Sequence, residues 1–282
     1  MDKPIWLLKI RAPQDDCDRI QGLLAQDAGY GWEEIEEPDG QISFNVYGEN
    51  RELLEDLARK ARNTETGVAC EVTQAATTDW QNAWRQFFTP VEAGTRFVVL
   101  PPWLAHKEHS WRQKIIIDPK NAFGTGHHAS TVLCLAALGE LLDRKRLGKT
   151  DWFLDLGTGT GILGLAACTA GLSGTGLDID PVAIDNAREN RELNEADNME
   201  LLKGGIEKIK GEKYDLVMAN ILAPVLIDLA KAITEALKKD GCLILGGILD
   251  KQVEDVIAAY RSEGMTEPKI FAEGEWRALL WD

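Results

Sequence analysis

Three glycines within five residues, Gly157, Gly159 and Gly161, separate two apolar runs and constrain what this chain can fold into more than any other stretch. Before them stands Trp152-Phe153-Leu154-Asp155-Leu156, and after them Ile162-Leu163-Gly164-Leu165-Ala166-Ala167. An apolar strand that stops at a glycine cluster and resumes as an apolar helical run is a strand, a tight turn and a helix N-terminus. That is the nucleotide cradle of a doubly wound α/β sheet. A loop whose acids merely cap helices is the plainer alternative, because a lone glycine fingerprint is a weak signal.

Two nucleotides compete for the cradle, since Gly159-Thr160-Gly161-Ile162-Leu163-Gly164 also fits the dinucleotide fingerprint. A pyrophosphate on a helix N-terminus needs bare N–H groups and positive potential, whereas Asp155 puts a carboxylate where the strand meets the turn. A carboxylate suits a ligand with an amino or sulfonium group, and S-adenosylmethionine carries both and no phosphate. The next strand, Gly174-Thr175-Gly176-Leu177-Asp178, ends in an acid about 20 residues beyond the glycines, where a ribose offers two hydroxyls. Asp178 is expected to accept from both. Because dinucleotide sites also use a ribose acid, Asp155 is the discriminator.

With 282 residues the chain exceeds one typical domain, so two domains are expected. A formal charge of −15 disfavours direct binding to nucleic acid and favours a basic protein partner. No apolar run reaches the roughly 18 residues of a membrane span, and no basic-then-apolar leader opens the chain, so the cytoplasm is the expected compartment and a monomer the expected state. Cys17, Cys70, Cys134, Cys168 and Cys242 lack paired spacing and read as reduced thiols. His106 and His109 share a polar loop without the further ligands of a metal site, so none is expected.

Residues 1–75 read as βαββαβ, a ferredoxin-like α+β domain. Its second helix carries Leu53, Leu54, Leu57 and Ala58 as the expected buried stripe. Sixteen acids against eight bases, and no nucleophile or glycine cradle, make this a recognition module. Residues 76–92 form a linker, with a helix over Thr77 to Phe88 whose Trp80, Trp84, Phe87 and Phe88 share one edge. The catalytic domain is residues 93–282.

Within it, Ala122-Phe123-Gly124-Thr125-Gly126 precedes an apolar helix over Ala129 to Leu142. Phe123 in a glycine-flanked loop is expected to close over the nucleotide. Thr131, in the first helical turn, either offers its hydroxyl to the ligand or caps the helix. The buried strand Tyr214 to Ala219 ends at Asn220-Ile221-Leu222, facing the same crevice as the cradle, and there the acceptor is expected. A helix over Val225 to Lys238, a strand over Cys242 to Gly246 and a helix over Lys251 to Glu263 follow. The segments flanking Glu273-Gly274-Glu275 form an antiparallel hairpin, which a dinucleotide domain rarely adds.

Taken with Pro101-Pro102-Trp103, Asp178-Ile179-Asp180-Pro181, Ala219-Asn220-Ile221-Leu222-Ala223, Gly247-Ile248-Leu249 and Gly274-Glu275-Trp276, these segments resemble the methyltransferases of bacterial ribosomal large-subunit protein eleven (PrmA-type) nearly end to end. The resemblance implies a class I methyltransferase fold, multiple N-methylation of that ribosomal protein, and cofactor contacts at Thr131, Gly157, Asp178 and Asn220. Thr158 replaces the family's usual Cys, and Gly204-Gly205 lacks an acid for the adenine amino group. Related enzymes methylate lysines of an electron-transfer flavoprotein subunit, which is one alternative target; a small-molecule amine is another.

The reaction expected of such a site is in-line attack of a neutral amine on a sulfonium methyl. A lysine ammonium with pKa near 10.4 must first lose a proton, and a poorly hydrated site beside a cation favours that loss. The catalytic set is Asn220, Ile221 and Leu222: the Asn220 oxygen and neighbouring backbone carbonyls accept from the amine N–H groups and aim its lone pair. His127 is the candidate proton acceptor within the protein, solvent the alternative.

Overall fold

A computed structural model of the chain describes residues 6–27, 32–37, 40–48, 50–64, 68–74, 89–106, 111–118 and 128–282. Two compact units divide it, Met1–Phe88 and Thr89–Asp282. The expected linker helix with its aromatic edge, Phe123, His109 and His127 lie outside the described residues.

In the first unit, β1 (Trp6–Pro13), α1 (Cys17–Asp27), β2 (Glu33–Glu36), β3 (Gln41–Gly48), α2 (Arg51–Thr64) and β4 (Ala69–Gln74) form a four-stranded sheet of order β2-β3-β1-β4 with all neighbours antiparallel. Alternation along β1 sends Leu8, Ile10 and Ala12 to one face, where they meet Phe44, Val46, Ile20, Leu24 and the stripe of α2. That stripe is Leu54, Leu57, Ala58 and Ala61, while Leu53 is 49% exposed. The helical period from Leu54 reaches 57, 58 and 61 and turns residue 53 away by about 100°, so the expected inclusion of Leu53 is corrected.

The second unit opens with β5 (Val91–Ala93), β6 (Phe97–Leu100) and β7 (Gln113–Ile116), which form a separate small sheet of that order, with β6 and β7 parallel. After α3 (Ala129–Asp143) the alternation begins: β8 (Trp152–Leu156), α4 (Ile162–Thr169), β9 (Ser173–Asp178), α5 (Pro181–Leu193), β10 (Met199–Lys203) and β11 (Tyr214–Asn220). Two short helices, α6 (Ala223–Asp228) and α7 (Ala230–Ala236), then lead to β12 (Leu237–Leu249), α8 (Val253–Ser262), β13 (Lys269–Glu273) and β14 (Trp276–Trp281). One helix was expected from Val225 to Lys238. Leu229, at φ −94° and ψ 2°, interrupts it, and Leu237 already pairs with Tyr214 as sheet.

The seven strands run in the order β10-β9-β8-β11-β12-β14-β13. The first five are mutually parallel, and β14 pairs antiparallel with both β12 and β13. Strands buried on both faces send alternate residues to opposite cores. Phe153, Leu216, Met218 and Ile244 pack with α3 and α4, whereas Leu154, Val217, Leu243 and Leu245 pack with α6, α7 and α8.

From β8 the chain proceeds outward through β9 and β10, then returns to place β11 on the other side of β8. A crevice must open at that reversal, above the carboxyl ends of β8 and β11. Beside it, Asn190 of α5 and Asn194, which caps that helix, meet the free side of β7. Asn194 receives the Ile116 N–H at 2.8 Å and donates to the Ile116 carbonyl at 2.6 Å, and Asn190 receives the Asp118 N–H at 2.9 Å. Asn190 also donates to the Thr160 carbonyl at 2.9 Å, so one amide joins the glycine turn to this edge.

Candidate active site

A cavity of about 740 Å³ occupies the crevice. Its floor is the glycine turn, where Gly157, Gly159 and Gly161 have φ of 71°, 56° and 86°, the left-handed region that side chains rarely enter. The N–H groups of Gly157 and Thr158 both donate to the Leu177 carbonyl at 2.8 Å, stitching the turn to β9. Gly157 and Gly159 line the cavity, whereas Gly161 lies off its wall, against Ala187.

Asp155 lines the cavity but turns away from the role of a simple ligand acceptor. It is 1% exposed, and its Oδ2 accepts from the Thr158 hydroxyl at 2.7 Å and the Gly164 N–H at 3.0 Å, which braces the turn from within. Burial pushes its carboxyl up to about 6, against those two hydrogen bonds, and the charge of Asp178 adds to the rise. Asp178, at the end of β9, accepts from the Gly159 N–H at 2.9 Å and the Asp180 N–H at 3.0 Å, one on each oxygen. A carboxylate offers about four lone-pair sites, so capacity remains on both oxygens.

At the other wall, Asn220 donates from Nδ2 to the Thr131 hydroxyl at 3.1 Å, and its buried Oδ1 has no hydrogen-bond partner among the described residues. Thr131 is fully buried and does not cap α3; the cap is His128, whose ring accepts from the Ser130 N–H. Ile221 also lines the cavity, and Leu222, 70% exposed, stands at its rim. Thr131, Asp155, Gly157, Gly159, Asp178, Asn220, Ile221 and Leu222 thus converge from four segments of the chain.

Four contributors were not anticipated. Trp276 and His128 meet edge to face, 4.5 Å between ring centroids, and both line the cavity from segments far apart in sequence. Glu207 does so too, two residues past the glycine pair that seemed to lack an acid. Its Oε1 accepts the Gly205 N–H at 3.0 Å, and bonds from its own N–H and from that of Gly205 hold its carboxyl below the usual range. Gly247, with φ 74°, lines the cavity where the register of β12 shifts; a glycine pair inside a strand was the available signal.

Four carboxylates, Asp155, Asp178, Asp180 and Glu207, line the cavity, Asp155 from behind the turn, and among the described lining residues there is no Lys or Arg. A pyrophosphate would meet like charge there, whereas an ammonium or sulfonium meets the opposite one. The residues present fit S-adenosylmethionine and not a dinucleotide.

The family model described as ribosomal protein L11 methyltransferase (PrmA) matches residues 26–281. The chain belongs to this family. Among relatives, a ribosomal protein L11 methyltransferase from Clostridium perfringens is 33% identical over 284 residues, spanning 96% of this chain and 88% of that protein. One from Acetivibrio thermocellus is 31% identical, spanning 98% and 97%. A solved structure of a ribosomal protein L11 methylase from Lactobacillus delbrueckii subsp. bulgaricus has a TM-score of 0.62 at 28% identity, over 68% of this chain and 97% of that one. The mostly parallel sheet is accordingly that of a class I methyltransferase. Among the described residues no helix is long and apolar enough to cross a membrane, and no cluster of three or more His, Cys, Asp or Glu is arranged to hold a metal ion.

Proposed function

We propose that this protein is an S-adenosylmethionine-dependent N-methyltransferase of ribosomal protein L11, acting on lysine and N-terminal amines. Membership of the family supports the activity and its target, and relatives bearing that name cover nearly the whole chain. The observation that carries the cofactor is the cavity lined by four carboxylates and no described basic side chain.

In this reading Asp178 holds the ribose hydroxyls, Gly157 and Gly159 let the backbone approach the ligand, and Asp155 keeps their turn in shape. Glu207 would accept from the adenine amino group. The cofactor supplies an electrophilic methyl group. The protein's part is orientation, which can contribute about 7–11 kcal/mol of a bimolecular barrier. Asn220 is suited to this: with Nδ2 engaged by Thr131, its Oδ1 is the atom in want of a donor, and an incoming amine N–H satisfies it. Asn220 orients the amine but cannot take its proton.

Residues 1–75 act as a ferredoxin-like recognition domain, a reading supported by the antiparallel order β2-β3-β1-β4 and by the domain's acidic composition, which suits a basic ribosomal protein. Residues 76–92 link it to the methyltransferase domain, 93–282, which closes with the antiparallel pair β13–β14. The enzyme works as a cytoplasmic monomer. The test is the intact mass of purified L11 after incubation with enzyme and S-adenosylmethionine. Increments in steps of one methyl group are expected; an unchanged mass alongside measured cofactor binding rejects the substrate.

A further inference from the structure

Between the glycine turn and the end of β11 lies a contact that the roles assigned so far do not use. Ile221 follows Asn220 directly, and it is held by two glycines, one from the turn after β8 and one from within β12. A Cβ built on Gly157 would stand 2.3 Å from the Ile221 Cγ2, and one built on Gly247 would stand 2.4 Å from the Ile221 carbonyl oxygen. Neither approach is possible for any residue but glycine, and both glycines have positive φ, 71° and 74°. The β-methyl of Ile221 therefore sits in the space a side chain on the cofactor turn would fill. Its backbone sits in the corresponding space of the β12 bulge.

We infer that Ile221 is a positioning residue: its Cγ2 rests on Gly157 and sets the distance from the cofactor turn to Asn220. This rests on the reading of Asn220 as the residue that orients the acceptor. Three features make the contact a gauge. Asn220 is in register with Gly246 of β12, so the segment's far side is fixed by the sheet. The bulge at Gly246 and Gly247 clamps the Ile221 peptide from that same side. On the near side the β11–β8 ladder ends at the Ala219–Leu156 pair, and one residue beyond it the Ile221 Cγ2 rests over Gly157; in a β-branched residue that methyl is attached to Cβ and has little rotational freedom. In-line transfer is sensitive to such spacing: a displacement of about 1 Å can cost about 100-fold in rate. In this account Ile221 acts through Asn220 and touches neither the amine nor the methyl.

The gauge makes a prediction opposite to that of ordinary packing. Leucine preserves the volume of isoleucine but moves the branch one carbon outward and lacks Cγ2; valine is smaller but keeps the branch at Cβ and with it the Cγ2 methyl. If Ile221 only filled space, Ile221→Leu would be the milder change, since volume-conserving swaps are tolerated best. For a gauge, valine is milder. The experiment measures kcat for L11 methylation, the dissociation constant of S-adenosylmethionine and the melting temperature for Ile221→Leu, Ile221→Val and Asn220→Ala in the full chain.

Ile221→Leu is expected to lower kcat by about 10-fold or more, and Ile221→Val by no more than about threefold, consistent with a sub-ångström shift of the acceptor. Cofactor affinity should change little in either. Equal rates in the two variants, or a leucine variant faster than the valine one, overturns the inference. A loss of rate that follows melting temperature or cofactor affinity overturns it as well. If Asn220→Ala loses its rate while Ile221→Leu does not, the gauge alone has failed; if Asn220→Ala keeps its rate, the acceptor reading falls and takes the gauge with it.

Discussion

Asp155 carries a cost that can be worked out and measured. Its carboxyl, ordinarily near 3.8, is pushed up to about 6 by burial at 1% exposure, despite hydrogen bonds from Thr158 and Gly164. Each tenfold change in proton affinity is worth about 1.4 kcal/mol, so keeping this group ionised costs the folded state about 3 kcal/mol. Because the folded pKa lies above the unfolded one, the stability linked to this group is fully present below about pH 4. It is lost as pH rises through about 6, with roughly half gone by pH 5. Asp155→Asn keeps an oxygen for both donors and removes the charge. Relative to the natural protein, the variant should therefore gain about 1–1.5 kcal/mol of stability between pH 5 and pH 7.5. Urea unfolding of the larger unit at the two pH values measures this, and carboxylates common to both proteins cancel in the difference. A gap that does not grow with pH would refute the reasoning, for it would mean that Asp155 is ionised in the fold without penalty. The same substitution should weaken cofactor binding, since it removes the negative charge behind the turn of a cavity lined by four carboxylates.

Two further outcomes are expected. Asp178→Ala should cost about 1–3 kcal/mol of S-adenosylmethionine affinity in calorimetry, the usual value of hydrogen bonds to a charged group; unchanged affinity would remove Asp178 from the site. Deleting residues 1–75 should leave that affinity intact and abolish methylation of L11, and retained methylation would end the recognition role.

Much of the catalytic unit was legible because its signals are local. Phe153 and Leu154 diverge to opposite cores, as a strand buried on both faces requires, and the glycine turn announces strand, turn and helix at once. Asp178 is placed by its spacing from that turn. What escaped depends on contacts remote in sequence. That Asp155 points into the turn follows from the Gly164 N–H, and that Leu53 leaves the core follows from the phase of α2. Trp276 joins the wall because β14 is inserted between β12 and β13, and no pattern in residues 128 or 276 alone pairs those rings. Glu207 carries no local mark of its role, since it lies beyond the glycines and one turn of 3-10 helix brings it back to the cavity. The break at Leu229 has no sequence mark such as Gly or Pro.

Asn190 and Asn194 also bear on how this chain behaves in a crowded solution. An edge strand with free N–H and C=O groups invites a strand from another molecule to add to it. Among the described residues β7 is such an edge, with β6 on one side. Residues 190 and 194 lie about 6 Å apart along a helix, and residues 116 and 118 about 7 Å apart along an extended chain, so the two rows match. Asn194 pairs with both polar groups of the Ile116 backbone, much as a neighbouring strand would, and Asn190 takes the next N–H in line. The helix thereby acts as an internal surrogate strand, and intermolecular β-pairing finds this edge already taken.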